Sequence, residues 1–107
     1  MKADKDLDKL IAEKIFGWTH EESDLLLNGF HPWSPSTDIE LAWQVVEKLR
    51  NTNRVFCLAS VVEHMGKKSA LMWVAKWEMH DPEYRMEFAL SADAPTAICL
   101  ASLKAIG

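Results

Sequence analysis

Long apolar runs are missing from this chain: no uninterrupted stretch approaches the roughly 18 to 20 residues that a membrane-spanning helix needs. A secretory leader is not expected either. Met1-Lys2-Ala3-Asp4-Lys5-Asp6 leads into an amphipathic stretch with no apolar h-region, so a cytoplasmic location is expected. Cysteine is scarce. Cys57 and Cys99 lie in apolar contexts without Cys-x-x-Cys spacing, and both read as buried small hydrophobes, not as redox, zinc or nucleophilic thiols. Four glycines make no Gly-rich phosphate loop. Basic charge is also short, with 12 Lys and Arg against 16 Asp and Glu and a net charge of -4, opposite to the field that phosphate binding requires. Direct nucleic-acid binding and membrane association are therefore not expected. Repeats and low-complexity tracts are absent. What is present is 107 residues that are 49% hydrophobic and 26% charged, the composition of one compact domain.

Residues 4 to 16 set Leu7, Leu10, Ile11 and Ile15 at helical spacing, and Gly17 follows where a C-cap glycine belongs. Residues 18 to 35 are rich in turn formers and predict a long loop, either functional or pinned by its own aromatic anchors. Thr37 and Glu40 form a capping box, with Ser36 a rival cap, for a second helix running to about Arg50. Its Ile39, Ala42, Trp43, Val45, Val46 and Leu49 define a core-facing side. Three β-rich stretches follow, Val55 to Glu63, Ala70 to Met79 and Tyr84 to Ser91, and they predict an antiparallel meander.

A two-residue Gly66-Lys67 turn would set Phe56 opposite Trp77, Leu58 opposite Ala75 and Ser60 opposite Trp73. A four-residue loop from His80 to Glu83 would set Lys76 opposite Glu87 and Glu78 opposite Arg85. These two opposite-charge pairs favour that register, which also faces Trp77 with Met86 and Ala75 with Phe88. The second sheet face would carry Ala59, Val61, Met72, Val74 and Ala89, an apolar area that wants a cover. Asp93 and Pro95 start a last helix, nearly apolar all round through Ile106. Such a helix must be buried on more than one side, by a further layer or by a subunit interface. The expected architecture is α+β, an α/β/α sandwich-like single domain in the order α-α-β-β-β-α, with helices on both faces of the sheet.

Two stretches resemble a known family. Pro35-Ser36-Thr37-Asp38-Ile39, continued by Ala42-Trp43-Gln44-Val45-Val46-Glu47-Lys48, is similar to a Pro-Ser-Thr-Asp-Ile opening and the helix after it. Ala97-Ile98-Cys99-Leu100-Ala101-Ser102-Leu103 is similar to that family's C-terminal helix. Ala12-Glu13-Lys14-Ile15-Phe16-Gly17-Trp18 is a weaker third match. The family is the phage ABA-sandwich domain. The resemblance implies α/β/α layering and a phage or prophage source, and it brings no established activity and no catalytic residues to carry over.

Between Lys14 and Lys48 there is no basic residue, while Glu21, Glu22, Asp24, Asp38, Glu40 and Glu47 supply six carboxylates. They are solvated side chains or helix-start anions in the plain structural case, and an acidic docking face for a basic host protein in the functional one. Trp18, His31 and Trp33 could wall a small-ligand pocket, nucleotide-like in size, or could anchor the long loop. His20, Glu22, Asp24 and His31 have ligand-type side chains without metal-site spacing, so no metal or other cofactor is expected, and His64 and His80 read as turn residues. No nucleophile stands beside a base and no diagnostic carboxylate pair occurs. The sequence therefore points to a non-enzymatic accessory protein of phage or prophage type. It would bind a host protein, as an inhibitor of a host system, and form a homodimer in preference to a monomer. Ligand sequestration is the alternative, with metal-dependent hydrolysis behind it.

Overall fold

The computed structural model describes residues 5–19, 21, 33–50, 54–65, 68–80 and 83–106, with 63–65, 68 and 69 as backbone alone. Helix α1 spans Lys5–Lys14, α2 Ile39–Leu49 and α3 Ala94–Ile106; strands β1 (Arg54–Met65), β2 (Lys68–Met79) and β3 (Arg85–Ser91) lie between α2 and α3. The sheet order is β1-β2-β3, antiparallel throughout. The α+β class, the element order and the three-stranded meander are as the sequence predicts. Most of the expected 18–35 loop, the Gly66-Lys67 turn and Asp81-Pro82 lie outside the described residues.

Leu7, Ile11 and Ile15, spaced four apart, give α1 its buried stripe. Gly17 ends the helix at φ 71°, a conformation that costs glycine little, and the Trp18 N–H donates to the Ala12 carbonyl at 3.0 Å. Helix α2 is capped by Asp38, whose Oδ1 accepts from the Glu40 N–H at 2.9 Å and the Leu41 N–H at 3.5 Å. The cap lies one residue beyond the expected Thr37 or Ser36: Thr37 Oγ1 donates to the Ser34 carbonyl at 3.3 Å, and Ser36 is held through its backbone. Its N–H donates to Asp8 Oδ1 of α1 at 2.8 Å, and its carbonyl accepts from Thr96 Oγ1 of α3 at 3.0 Å. The Pro35-Ser36 turn is thus clamped between two helices, which gives the Pro-Ser-Thr-Asp-Ile motif its physical reason.

Helix α3 is enclosed by its own chain. It packs on β2 and β3, with α2 and α1 also against it. All three helices contribute to one core with Ala75, Trp77, Met79 and Ala89 of the sheet. Trp77 is fully buried, and its indole N–H donates to Ser102 Oγ at 3.0 Å. The apolar character of α3 is therefore met within the chain and needs no subunit interface to explain it. All the described helices lie against one face of the sheet.

The β1–β2 register is the expected one, with Phe56 opposite Trp77, Leu58 opposite Ala75, and Met65 opposite Lys68 across a two-residue connection. The β2–β3 register is shifted by one residue from expectation. Lys76 is opposite Phe88, Trp77 opposite Glu87, Glu78 opposite Met86 and Ala75 opposite Ala89. A one-residue shift turns every β3 side chain to the other face. Ala89 now lies in the core, where a helix rich in alanine comes close to the sheet, while Met86 and Phe88 are turned away from it. The charges pair along strands instead of across them: Lys76 with Glu78 at 3.0 Å, and Arg85 with Glu87 at 3.9 Å.

Candidate functional site

The shift of β3 builds a surface that the sequence did not suggest. On the face away from the helices, three cross-strand rows are stacked: Val55–Glu78–Met86, Cys57–Lys76–Phe88 and Ala59–Val74–Leu90. Val55 is 52% exposed, Phe88 48%, Met86 42% and Leu90 40%. Met86, Phe88 and Leu90 follow one another along β3 as an exposed apolar strip of the kind that marks an interaction surface, with Val55 across the Lys76–Glu78 pair; single exposed apolar residues are ordinary. No described helix covers it.

Near its centre, the Lys76 ammonium is held above the usual lysine range, first by its hydrogen bond to Glu78 and then by that carboxylate's charge. The pair adds little to stability in its exposed setting and answers both of its own charges, while the Lys104 ammonium of α3 lies 6.0 Å from the centre of the Phe88 ring. Cys57 is exposed here, contrary to its expected burial. Cys99 is buried in the core as expected. Burial pushes its thiol well up, and the nearby Asp8 carboxylate adds to the effect, so it stays protonated and inert.

The residues singled out from the sequence are scattered by comparison. Asp38 caps α2 and Glu40 lies in its first turn, both exposed; Glu47 pairs with Arg50 at 3.6 Å; Glu21 is exposed. Glu22, Asp24, His20 and His31 lie outside the described residues. Trp18 and Trp33 are brought together, with ring centroids 4.7 Å apart, and Phe16 lies 5.5 Å from Trp18 and 5.6 Å from Trp33. Each ring is packed on the other two, which is the arrangement of an anchor at the two ends of the 19–32 connection, with no gap between Trp18 and Trp33 for a further ring. Trp43, expected in the core, is exposed at the rim of α2 and touches the Phe56 ring edge-on at 5.8 Å.

Phe88, Met86 and Leu90 are the residues that sequence reasoning missed. Their alternation with Glu87, Ala89 and Ser91 fits either face, and the apparent ion pairs selected the other one. The available signal was size, since Ala75 opposite Ala89 suits the close approach of a helix carrying Ala97, Ala101 and Ala105. Among the described residues, no three His, Cys, Asp or Glu side chains come together as metal ligands, and no helix is long and apolar enough to cross a membrane. Comparison with curated proteins and with solved structures found no match. The model of one family, the phage ABA sandwich domain, matches residues 9–103, nearly the whole length. The chain therefore belongs to the phage ABA sandwich domain family.

Proposed function

We propose that this domain is a non-enzymatic phage accessory protein that works by binding a host protein through the open face of its sheet. The exposed patch of Val55, Met86, Phe88 and Leu90 carries the proposal. An exposed apolar surface whose Lys76–Glu78 pair is internally neutralised, and whose neighbouring Lys104 already donates to the Phe88 carbonyl, suits a partner that presents an apolar strip, because such contact removes area from water. Inhibition of a host system is the activity that phage origin and small size favour. The acidic side chains Glu40 and Glu47 lie on α2, on the helical side of the molecule, and with the exposed Glu21 would serve a different, basic partner.

Three baits separate these two surfaces: the unaltered chain, Phe88→Glu, and the triple reversal Glu21→Lys/Glu40→Lys/Glu47→Lys, each offered to an extract of the bacterial host. The expected result is a protein retained by the unaltered chain and by the triple variant, and lost with Phe88→Glu. Retention by Phe88→Glu together with loss on charge reversal would place binding on the acidic face and end the proposal for the sheet.

A further inference from the structure

β1 is a twelve-residue edge strand, and its two sides are not treated alike. Its inner side pairs with β2 along its full length. Its outer side pairs with no described residue. From Val55 to Val62, between Arg54 and Glu63, it carries no charged residue and no Pro, devices by which monomeric proteins blunt an edge. The opposite edge is guarded. Lys104 Nζ of α3 donates to the backbone carbonyl of Phe88 on β3 at 2.9 Å.

Two exposed apolar ledges lie on the helix side near β1. One is on the ribbon that β1 and β2 form beyond the end of β3, where Val62 is 57% exposed and Leu71 opposite it by a single pair step is 61% exposed. A two-stranded ribbon is marginal in water by itself, so this extension calls for support. The other ledge is on α2, where Ile39 and Trp43 are both nearly half exposed and Trp43 touches Phe56. Phe56 and Val62 are on the same side of the same strand, one toward each end.

We infer that β1 pairs antiparallel with β1 of a second copy, about a two-fold axis near Ala59 and Ser60, to make a continuous six-stranded sheet. The two-fold operation sets Phe56 of the second copy across from residues 62–64 of the first. It thereby carries the second copy's Trp43 to Val62 and Leu71, and the reciprocal contact forms at the other end. One rotation thus satisfies the unguarded edge and both ledges, which is the argument for a second copy over a foreign strand. Eleven residues of each strand, 54–64 or 55–65, then pair and supply about ten backbone hydrogen bonds. The open face plays no part in the contact and doubles in extent, so this inference stands apart from the proposed partner binding.

The test uses the full chain at about 100 µM, where mass action favours the assembly. Sedimentation equilibrium should return twice the chain mass. A nitroxide on the exposed Cys57 should report a pair distance of about 15–25 Å, from 3.3 Å per residue along the strands, 4.8 Å between them and the label's own reach. Ser60→Lys places two ammonium groups beside the axis, and Leu71→Glu removes a ledge. Both positions are exposed, so each variant should keep its thermal melt while dimerisation weakens at least about tenfold. A monomer at this concentration overturns the inference. A dimer that is indifferent to both substitutions, or that lacks the short distance, overturns it equally by placing the contact elsewhere.

Discussion

Trp77→Ala is expected to lower the melting temperature of this domain by about 15–25 °C, since truncating a buried tryptophan costs about 3–5 kcal/mol and each kcal/mol is worth about 5 °C at this size. Trp77 has no solvent-exposed surface, packs against Phe56 at 5.0 Å between ring centroids, and meets α3 through its hydrogen bond to Ser102. Its removal opens a cavity between Phe56 of β1 and Ser102 of α3, and it leaves the buried Ser102 hydroxyl without its indole donor. Trp77→Phe separates the two losses. It keeps most of the ring and forfeits the hydrogen bond, so it should cost about 1–2 kcal/mol, read as a smaller shift in the same circular-dichroism melt.

A second large effect divides two adjacent residues. Ala89→Glu should leave the domain unfolded or molten, whereas Phe88→Glu should change stability by no more than about 1 kcal/mol. Ala89 is buried beneath α3, where a carboxylate would have neither water nor room; the several kcal/mol this costs is comparable with the roughly 5–15 kcal/mol that holds a domain together. Phe88 is on the open face opposite Lys76, a ready partner for a new carboxylate. Urea denaturation of the two variants reads the result. The reverse order of stabilities would mean that β3 is one residue out of register with this structure.

That register is where the sequence was least legible, and the reason is one of magnitude. Lys76 with Glu87 and Glu78 with Arg85 form a persuasive cross-strand pattern, yet such pairs are worth only about 0.2–1 kcal/mol each. Seating α3 closely on the sheet through Ala75 and Ala89 removes far more apolar area from water, and the helix contact decides. The β1–β2 register was legible because a two-residue turn admits few alternatives and because alternating Phe56, Leu58 and Ser60 match Trp77, Ala75 and Trp73 in size. Periodicity placed Ala42, Val45, Val46 and Leu49 in the core correctly. It failed for Trp43 and Ile39, because α2 rests chiefly on α3 and its buried stripe is narrower than its apolar one. The cap of α2 fell one residue from expectation for a local reason: Asp38 Oδ1 takes the Glu40 and Leu41 N–H groups while Thr37 Oγ1 donates to the Ser34 carbonyl; what no local motif encodes is the hold on the Ser36 backbone by Asp8 and Thr96, 28 and 60 residues away.

The candidate site was less legible than the fold. An apolar face reads the same whether a helix, a second copy or a foreign protein covers it, so the sequence could show that a cover was wanted and not that the described helices would all choose the other side. Burial of Cys57 was expected from its apolar neighbours for the same reason.

The open sheet face is the central claim, and the thiol count with Ellman's reagent tests it most directly. Of the two cysteines, Cys57 is exposed on that face and Cys99 is sealed in the core with its thiol held protonated. The native chain should therefore release one equivalent of thionitrobenzoate promptly and the second only in denaturant, and pairing through the β1 edge leaves this count unchanged. A native chain that releases none would show the face covered, and the account built on it would be wrong.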